Sequence, residues 1–471
     1  MPPPRVRAVV LAAGAGSRFG GRKLEARVGG KPVLQHVLDV LAAAGLADPL
    51  VVVAGDGPVG IDWRDAERVS NSDPSRGLAS SLQLGWSWAM ARVSPPDAVL
   101  LVLGDQPLLR ADTVRRMVAE PLDPARPLIA TRYTDTAARN PVRIEPEADE
   151  LVAGGYGDMG LSPSLSEHLE LVRFLDADGG NPDIDRQADL AVVAAAMWAD
   201  RVRGNAAQVA RLRETSDDDD HYAPVTSLFR DDPRRTGDEV LEALLRIARP
   251  DQRWLDVGAG AGRFAMPLAL ATREVIAVEP SSAMLDALRD GLVEHWIDNV
   301  RVVEGRWPAV ASRIGPMPTA EFALIAQVGY DVEDIAPFLD ALESAAALGC
   351  VAVMRERSPA AAAEPFWPAV HGERRVSLPA LPDLLDLLTA RGASPEMEWI
   401  EHPARTMRSR DAALGFLRRQ TWVMPGSTKD IRLQAALDDL LGQPGHLLAN
   451  GSVRLSPDPT VRDAVVRWQR S

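Results

Sequence analysis

The chain has 471 residues, 46% of them hydrophobic and 25% charged, with a formal net charge of −14 at pH 7. That length predicts two domains, each able to bury its own core. The acidic balance argues against nucleic acid or an anionic membrane as a partner, and the single cysteine, Cys350, excludes an intrachain disulfide and a cysteine-rich metal cluster. No run approaches the roughly 18 apolar residues of a membrane span. The segment MPPPRVRAVVLAAGAG lacks the long apolar core of a signal peptide, so a cytosolic location is expected.

In chain order, RAVVLAAG, PLVVVAGD and DAVLLVLGD predict strands, and KPVLQHVLDVLAAAG and ASSLQLGWSWAMARV predict amphipathic helices between them. The pattern changes between residues 201 and 238, where Asp217 to Asp220 form an acidic run. Four adjacent aspartates repel and solvate one another, so a hydrated linker is a better reading than a metal site. We place domains at 1–200 and 236–471, joined by an acidic linker at 201–235. Beyond it RWLDVGAG, EVIAVEP, NVRVVEG, FALIAQVG and GCVAVMRE predict strands, alternating with helices such as DEVLEALLRIA and SAMLDALRDGLVEHW. Near-continuous apolar strands separated by helices imply an α/β protein of two doubly wound domains, with parallel sheets covered on both faces. Ligands in such sheets bind at the carboxyl ends of the strands. Cys350 falls within LGCVAVM and reads as a core thiol rather than a nucleophile.

Each half carries a glycine-rich turn after its first strand. In LAAGAGSRFGGRK the glycines remove Cβ atoms that would hold a phosphate oxygen off the backbone. Amides after a strand form an anion-binding nest, and Arg18 and Lys23 add full charges. GxxxxGK[ST] does not occur, so this is not a Walker A loop. The segment resembles the signature of the nucleotidyltransferases that include the molybdenum-cofactor cytidylyl- and guanylyltransferases, and three later stretches resemble theirs in the same order. The resemblance covers about residues 5–200 and implies a Rossmann-like nucleotidyltransferase sheet. Leu11, Ala12, Ala13, Gly14 and Gly16 would lie against the nucleotide, as would Gly77, Ser80 and Ser81 of SRGLASSLQLGW. Asp105 of GDQP would be the leading Mg²⁺ ligand and Asp185 of NPDIDRQADL the second, with Asp183 a weaker candidate. Arg18 and Lys23 would hold the β- and γ-phosphates and stabilise the departing pyrophosphate. Two carboxylates from separate strand ends suit a hard cation that otherwise keeps phosphates as ligands.

Departures from the family pattern cluster on the acceptor side. Arg186 and Gln187 replace its Thr and Pro, Asn140 replaces a Gly in RNPVRI, and GGYGDMGLSP lacks the Arg that would meet an acceptor phosphate. CTP and GTP stay equally open as donors, because the loop at Ala12, Ala13 and Gly14 would read the base through backbone groups.

The second turn, RWLDVGAGAGRFAMPLA, spaces Asp256, Gly258, Gly260 and Gly262 in a D-x-G-x-G-x-G pattern that resembles motif I of class I S-adenosylmethionine methyltransferases. The resemblance spans about residues 222–471. It implies that Glu279, ending VIAVEP, binds ribose hydroxyls and that Glu304 and Gly305 lie on the adenine side. Gln327, Tyr330 and Asp331 are candidates for the methyl-acceptor pocket, Tyr330 reading equally well as a packing residue. His295 and Trp296 read as packing or surface residues, and the arginines of 402–424 as the solvated face of a helix. Methyl transfer from a sulfonium needs mainly alignment and desolvation, so no catalytic base is demanded of the sequence.

Together these readings give a bifunctional enzyme. One activity is Mg²⁺-dependent transfer of CMP or GMP to a phosphorylated acceptor such as molybdopterin, with a molybdenum hydroxylase as a candidate partner. The other is S-adenosylmethionine-dependent methyl transfer to an unspecified acceptor. Two competing readings remain: a first domain that senses nucleotide without catalysis, and a second that binds S-adenosylmethionine without transferring its methyl group.

Overall fold

The computed structural model describes residues 3–215, 230–456 and 458–469, in two compact units, 1–196 and 197–471. The acidic run Asp217 to Asp220 lies outside the described residues. Both units are α/β with a seven-stranded sheet, the expected class.

In the first unit β1 (Val6–Ala12), β2 (Leu50–Ala54), β3 (Glu67–Asn71), β4 (Ala98–Leu103), β5 (Leu128–Tyr133), β6 (Val142–Ile144) and β7 (Val172–Ala177) take the order β3-β2-β1-β4-β6-β5-β7. Val9 pairs with Leu50 on one side and Leu101 on the other, in parallel register. Residues 8–12 are buried throughout, which is why RAVVLAA reads as one apolar run. Helix α1 (Val33–Ala43) follows the glycine-rich loop. Helix α2 (Leu78–Met90) packs on the sheet through Gly85, where a Cβ would lie 2.6 Å from Val9 Cγ1 and 3.0 Å from Val52 Cγ2.

The sheet is not wholly parallel, as the sequence suggested: β6 runs antiparallel between β4 and β5. Its centre is Arg143, fully buried, which disguises a three-residue strand as a polar loop. The guanidinium donates to the carbonyls of Met117 (3.0 Å) in helix α3 (Ala111–Ala119) and of Glu120 and Pro121 (2.9 Å) just beyond it, and to Glu145 at 2.8 Å. Glu145 also accepts from Arg173 at 2.7 Å. A buried charge is tolerated here because nearly every donor finds an acceptor.

Helix α4 (Asp189–Leu212) contains the division between units. Residues 201–212, expected in the linker, are therefore helix. Trp198 Nε1 donates to Val332 O at 2.9 Å, Arg201 to Leu378 O at 2.7 Å and Gln208 to Arg374 O at 2.8 Å, all within the second unit. Polar residues that read as solvated fill the hydrogen-bonding needs of the 373–383 segment instead.

In the second unit helix α5 (Glu239–Ile247) precedes β8 (Arg253–Val257), α6 (Ala265–Ala271), β9 (Glu274–Glu279), α7 (Ser282–Glu294), β10 (Val300–Glu304), β11 (Ala320–Ala326), α8 (Ile335–Ala345), β12 (Ala346–Arg355), β13 (Glu396–Pro403) and β14 (Thr460–Trp468). The order is β10-β9-β8-β11-β12-β14-β13, parallel except for β14, which runs antiparallel to both neighbours. Cys350 is buried in β12, and burial pushes its thiol pKa up, as fits a core residue. Trp296 is almost fully exposed.

Replacing Arg143 by Met leaves Glu145 buried with only Arg173 and the Asp123 amide as donors. Urea denaturation of Arg143→Met is expected to show a stability loss of about 3 kcal/mol; a loss below about 1 kcal/mol would mean the network carries little of this unit's stability.

Candidate functional site

In the first unit β1 ends at Ala12 and the chain enters a loop through Lys23. The Gly16 carbonyl accepts from the amides of Phe19 (3.0 Å), Gly20 (3.1 Å) and Gly21 (3.0 Å), which folds the loop back on itself. Gly16 has φ +59°, and a Cβ there would meet Lys23 Cγ at 3.3 Å. The amides of Gly14, Ala15, Gly16 and Ser17 have no backbone acceptor among the described residues, so they form an open nest.

Lys23 turns inward. Its ammonium bonds the Asp105 carboxylate and lies 3.7 Å from Asp185 Oδ1, while Arg18 Nη1 lies 3.3 Å from Asp185 Oδ2. The two proposed metal-side carboxylates and the two proposed phosphate-side cations thus meet at one place. Asp105 follows the end of β4, and its carbonyl accepts from Ile184 N at 3.1 Å, which brings in the segment carrying Asp185. Asp189 fixes that turn by accepting from the amides of Asp185 (2.8 Å) and Arg186 (2.7 Å).

Asp183 points elsewhere: it accepts from Gln106 Nε2 at 2.6 Å and borders a cavity of about 370 Å³ whose lining includes Leu11, Leu82, Leu103, Asn140 and Met159. Surrounding protein raises its pKa, as do the charges of Asp105 and Asp185. Among the described residues no group of three or more His, Cys, Asp or Glu side chains is arranged to hold a metal ion.

The segment after β3 expected to face the nucleotide is tied together by its own polar groups. Asn71 donates to both Ser80 Oγ and Ser81 Oγ at 3.0 Å, and Ser80 Oγ donates to Gly77 O at 2.8 Å. Both hydroxyls are therefore held in place, and Asn71, the organising residue, gave no signal beyond being polar at a strand end. Gly77, with φ +87°, sits against the GGYGDMG loop: a Cβ there would lie 2.4 Å from the Gly157 carbonyl carbon.

In the second unit the turn after β8 runs through Gly258 (φ +76°), Gly260 (φ +56°) and Gly262 (φ +88°). A Cβ at Gly258 would meet Val328 Cγ2 at 2.5 Å and one at Gly262 would meet Leu288 Cδ1 at 2.5 Å, whereas Gly260 faces open space. Packing therefore explains two of the glycines, whereas at Gly260 the left-handed backbone favours glycine and the space above it is open. Glu279, buried at the end of β9, accepts from Gly260 N and Ser281 N, each at 2.9 Å. Asp256 is buried, and its Oδ1 has no hydrogen-bond partner. Burial, with the nearby Glu279 charge, pushes the Asp256 pKa up to about 7. Glu304 is exposed at the end of β10, 3.9 Å from Arg289. Tyr330 is buried: it donates to Gln327 Oε1 and accepts from Arg355 N, both at 2.8 Å.

Residues 8–172 match the family model of the MobA-like NTP transferase domain. The curated relatives include the bifunctional protein GlmU of Syntrophomonas wolfei, 32% identical over 120 residues, which are 24% of this chain and 25% of that one. GlmU of Parvibaculum lavamentivorans is 38% identical over 124 residues, 23% of this chain and 25% of that one. The chain spans about a quarter of the length of these relatives. Among solved structures, Rv0371c of Mycobacterium tuberculosis H37Rv is 28% identical, with a TM-score of 0.34, covering 40% of this chain and 96% of its own. The precorrin-6y C5,15-methyltransferase of Geobacter metallireducens is 14% identical, with a TM-score of 0.31, covering 52% of this chain and 95% of its own.

Asp256 makes the stability of the second unit depend on pH. Its folded pKa of about 7 exceeds the ordinary 3.8, so the folded state holds a proton that the unfolded state has lost, and stability falls as pH rises through that interval. Asp256→Asn removes the term. In urea titrations the variant should gain on wild type between pH 5 and pH 8 by roughly 2–4 kcal/mol; a constant difference would show that Asp256 is ionised throughout.

Proposed function

We propose that the chain is a bifunctional transferase whose first activity moves CMP or GMP from CTP or GTP to an acceptor with release of pyrophosphate. The observation that carries this is the convergence of Asp105 and Asp185 on Lys23, with Arg18 beside them. The acceptor oxygen attacks the α-phosphorus, the bond to the β-phosphate oxygen breaks, and charge builds on the leaving pyrophosphate. Lys23 and Arg18 would meet that charge, the nest of Gly14 to Ser17 would donate to phosphate oxygens, and the Leu11–Gly14 backbone would face the base. The carboxylate pair is a hard oxygen donor set that fits Mg²⁺; bound there, the ion would supply further charge neutralisation. The acceptor in this reading is phosphorylated, of the molybdopterin type, with a molybdenum hydroxylase as a downstream partner.

Isotope-labelled CTP and GTP, incubated with Mg²⁺ and candidate acceptors, test the reading. Asp105→Ala should lower pyrophosphate release by about 10²- to 10³-fold, and turnover equal to wild type would defeat it. The specific changes at Asn140 and in GGYGDMGLSP favour one alternative, a first domain that senses nucleotide without turnover. Calorimetric nucleotide binding with no pyrophosphate release across an acceptor panel would mark that outcome.

The second proposed activity is methyl transfer from S-adenosylmethionine by the domain at 236–471. Two features support it: the unpartnered Asp256 Oδ1 below the turn, and the open space over Gly260. Asp256 and the glycine turn would hold the amino-acid part of the cofactor, Glu279 the ribose and Glu304 the adenine side; bound, the cofactor would supply an electrophilic methyl group. Gly260→Ala meets no atom within 4 Å, so it should cost the fold only about 1–2 kcal/mol of backbone strain. Calorimetry should nevertheless show at least a roughly tenfold loss of S-adenosylmethionine affinity; unchanged affinity would place the cofactor elsewhere.

A further inference from the structure

One cation of the first unit has two sets of partners within reach. The Lys23 ammonium bonds Asp105 and lies 3.7 Å from Asp185, and the Lys23 side chain is 12% exposed against 75% for Arg18. Water and salt therefore screen the Lys23 pair much less than the Arg18 pair. The stem of Lys23 runs beside Gly16, where a Cβ would meet its Cγ at 3.3 Å and its Cδ at 3.6 Å. Gly16 belongs to the run of open amides from Gly14 to Ser17. The side chain thus passes the nest on its way to the carboxylates, and its flexible four-carbon stem lets the ammonium turn from one to the other. The carboxylate pair offers a divalent ion little more than itself. Asp183 is turned to Gln106 Nε2 at 2.6 Å, and no third His, Cys, Asp or Glu completes a metal group among the described residues.

We propose that Lys23 is an exchangeable counter-ion, which holds the carboxylate pair until a triphosphate enters the nest and draws it across, so that nucleotide binding precedes metal binding. The proposal rests on the nucleotidyltransferase reading and adds an order of assembly to it. Charge decides that order. An ammonium and a divalent cation repel each other strongly if both sit between Asp105 and Asp185, while removing the ammonium alone leaves two carboxylates facing each other. A triphosphate relieves both costs together. Its oxygens take the ammonium, at the place where charge later builds on pyrophosphate, and they supply the hard ligands that the carboxylate pair lacks. Arg18 meets the other oxygen of Asp185, at 3.3 Å, from an exposed position, and so serves as a control for charge alone.

Calorimetry and the EPR signal of free Mn²⁺ test this on the full chain without any acceptor. With Mn²⁺ alone, Lys23→Met, which keeps the stem and removes the charge, should bind the ion at least roughly tenfold tighter than wild type. Arg18→Met removes the same charge from an exposed position and should shift that affinity by less than about threefold. In EDTA, Lys23→Met should bind CTP or GTP, whichever the wild type takes, at least roughly tenfold more weakly. Lys23→Gln, which keeps a donor for Asp105, replaces Lys23→Met if circular dichroism shows that variant unfolded. Mn²⁺ affinity that is unchanged or undetectable in the Lys23 variant, or an equal gain in Arg18→Met, would overturn the inference and leave the nucleotidyltransferase reading standing. Tighter Mn²⁺ binding without the loss of nucleotide affinity would make Lys23 a fixed counter-ion and overturn it as well. Failure of the wild-type chain to bind either nucleotide, with or without Mn²⁺, would instead remove that reading, and the inference with it.

Discussion

An ammonium shared between two carboxylates sets the geometry of the first unit. Lys23, Asp105 and Asp185 come from a glycine-rich loop, a strand end and a segment much later in the chain. Two carboxylates this close repel each other strongly in a partly desolvated setting unless positive charge lies between them. The backbone enforces the meeting: Gly16 folds the loop so that Lys23 faces inward, Ile184 ties its segment to Asp105, and Asp189 caps the turn bearing Asp185. The site is a balance of charge fixed by three chain segments, and Arg18 is the more exposed of its two cations.

The two units use the same plan for opposite electrostatics. Each places a glycine turn at the carboxyl edge of a largely parallel sheet. In the first the turn is followed by arginine and lysine and leaves amides open, which suits an anion. In the second the turn lies over two buried acids, Asp256 and Glu279, which suits a ligand bearing positive charge and hydroxyl donors. The glycines differ in purpose as well. Gly258 and Gly262 are required by neighbouring side chains, whereas Gly260 faces space.

Much of this was legible in the sequence because apolar runs and glycine spacing are local signals. The class of both units, their first strands, and the placing of Arg18, Lys23, Asp105 and Asp185 all followed from short contiguous stretches. What escaped depended on contacts distant in sequence. Strand β6 was hidden because its central residue is a buried arginine whose backbone acceptors lie in and just beyond helix α3, earlier in the chain. The helical continuation through residue 212 was hidden because its polar side chains bond backbone groups more than 150 residues away (Arg201 to Leu378, Gln208 to Arg374). Asn71 likewise acquires meaning only through the two serines it reaches.

The backbone contact between Gly77 and Gly157 ties together two regions that sequence motifs treat as separate. Gly77 has no room for a side chain where it meets Gly157, whereas a Cβ on Gly157 would face open space, so a change of shape before α2 must be absorbed by the loop opposite. A shift of the GGYGDMG backbone would thus be felt directly at the segment that leads into α2.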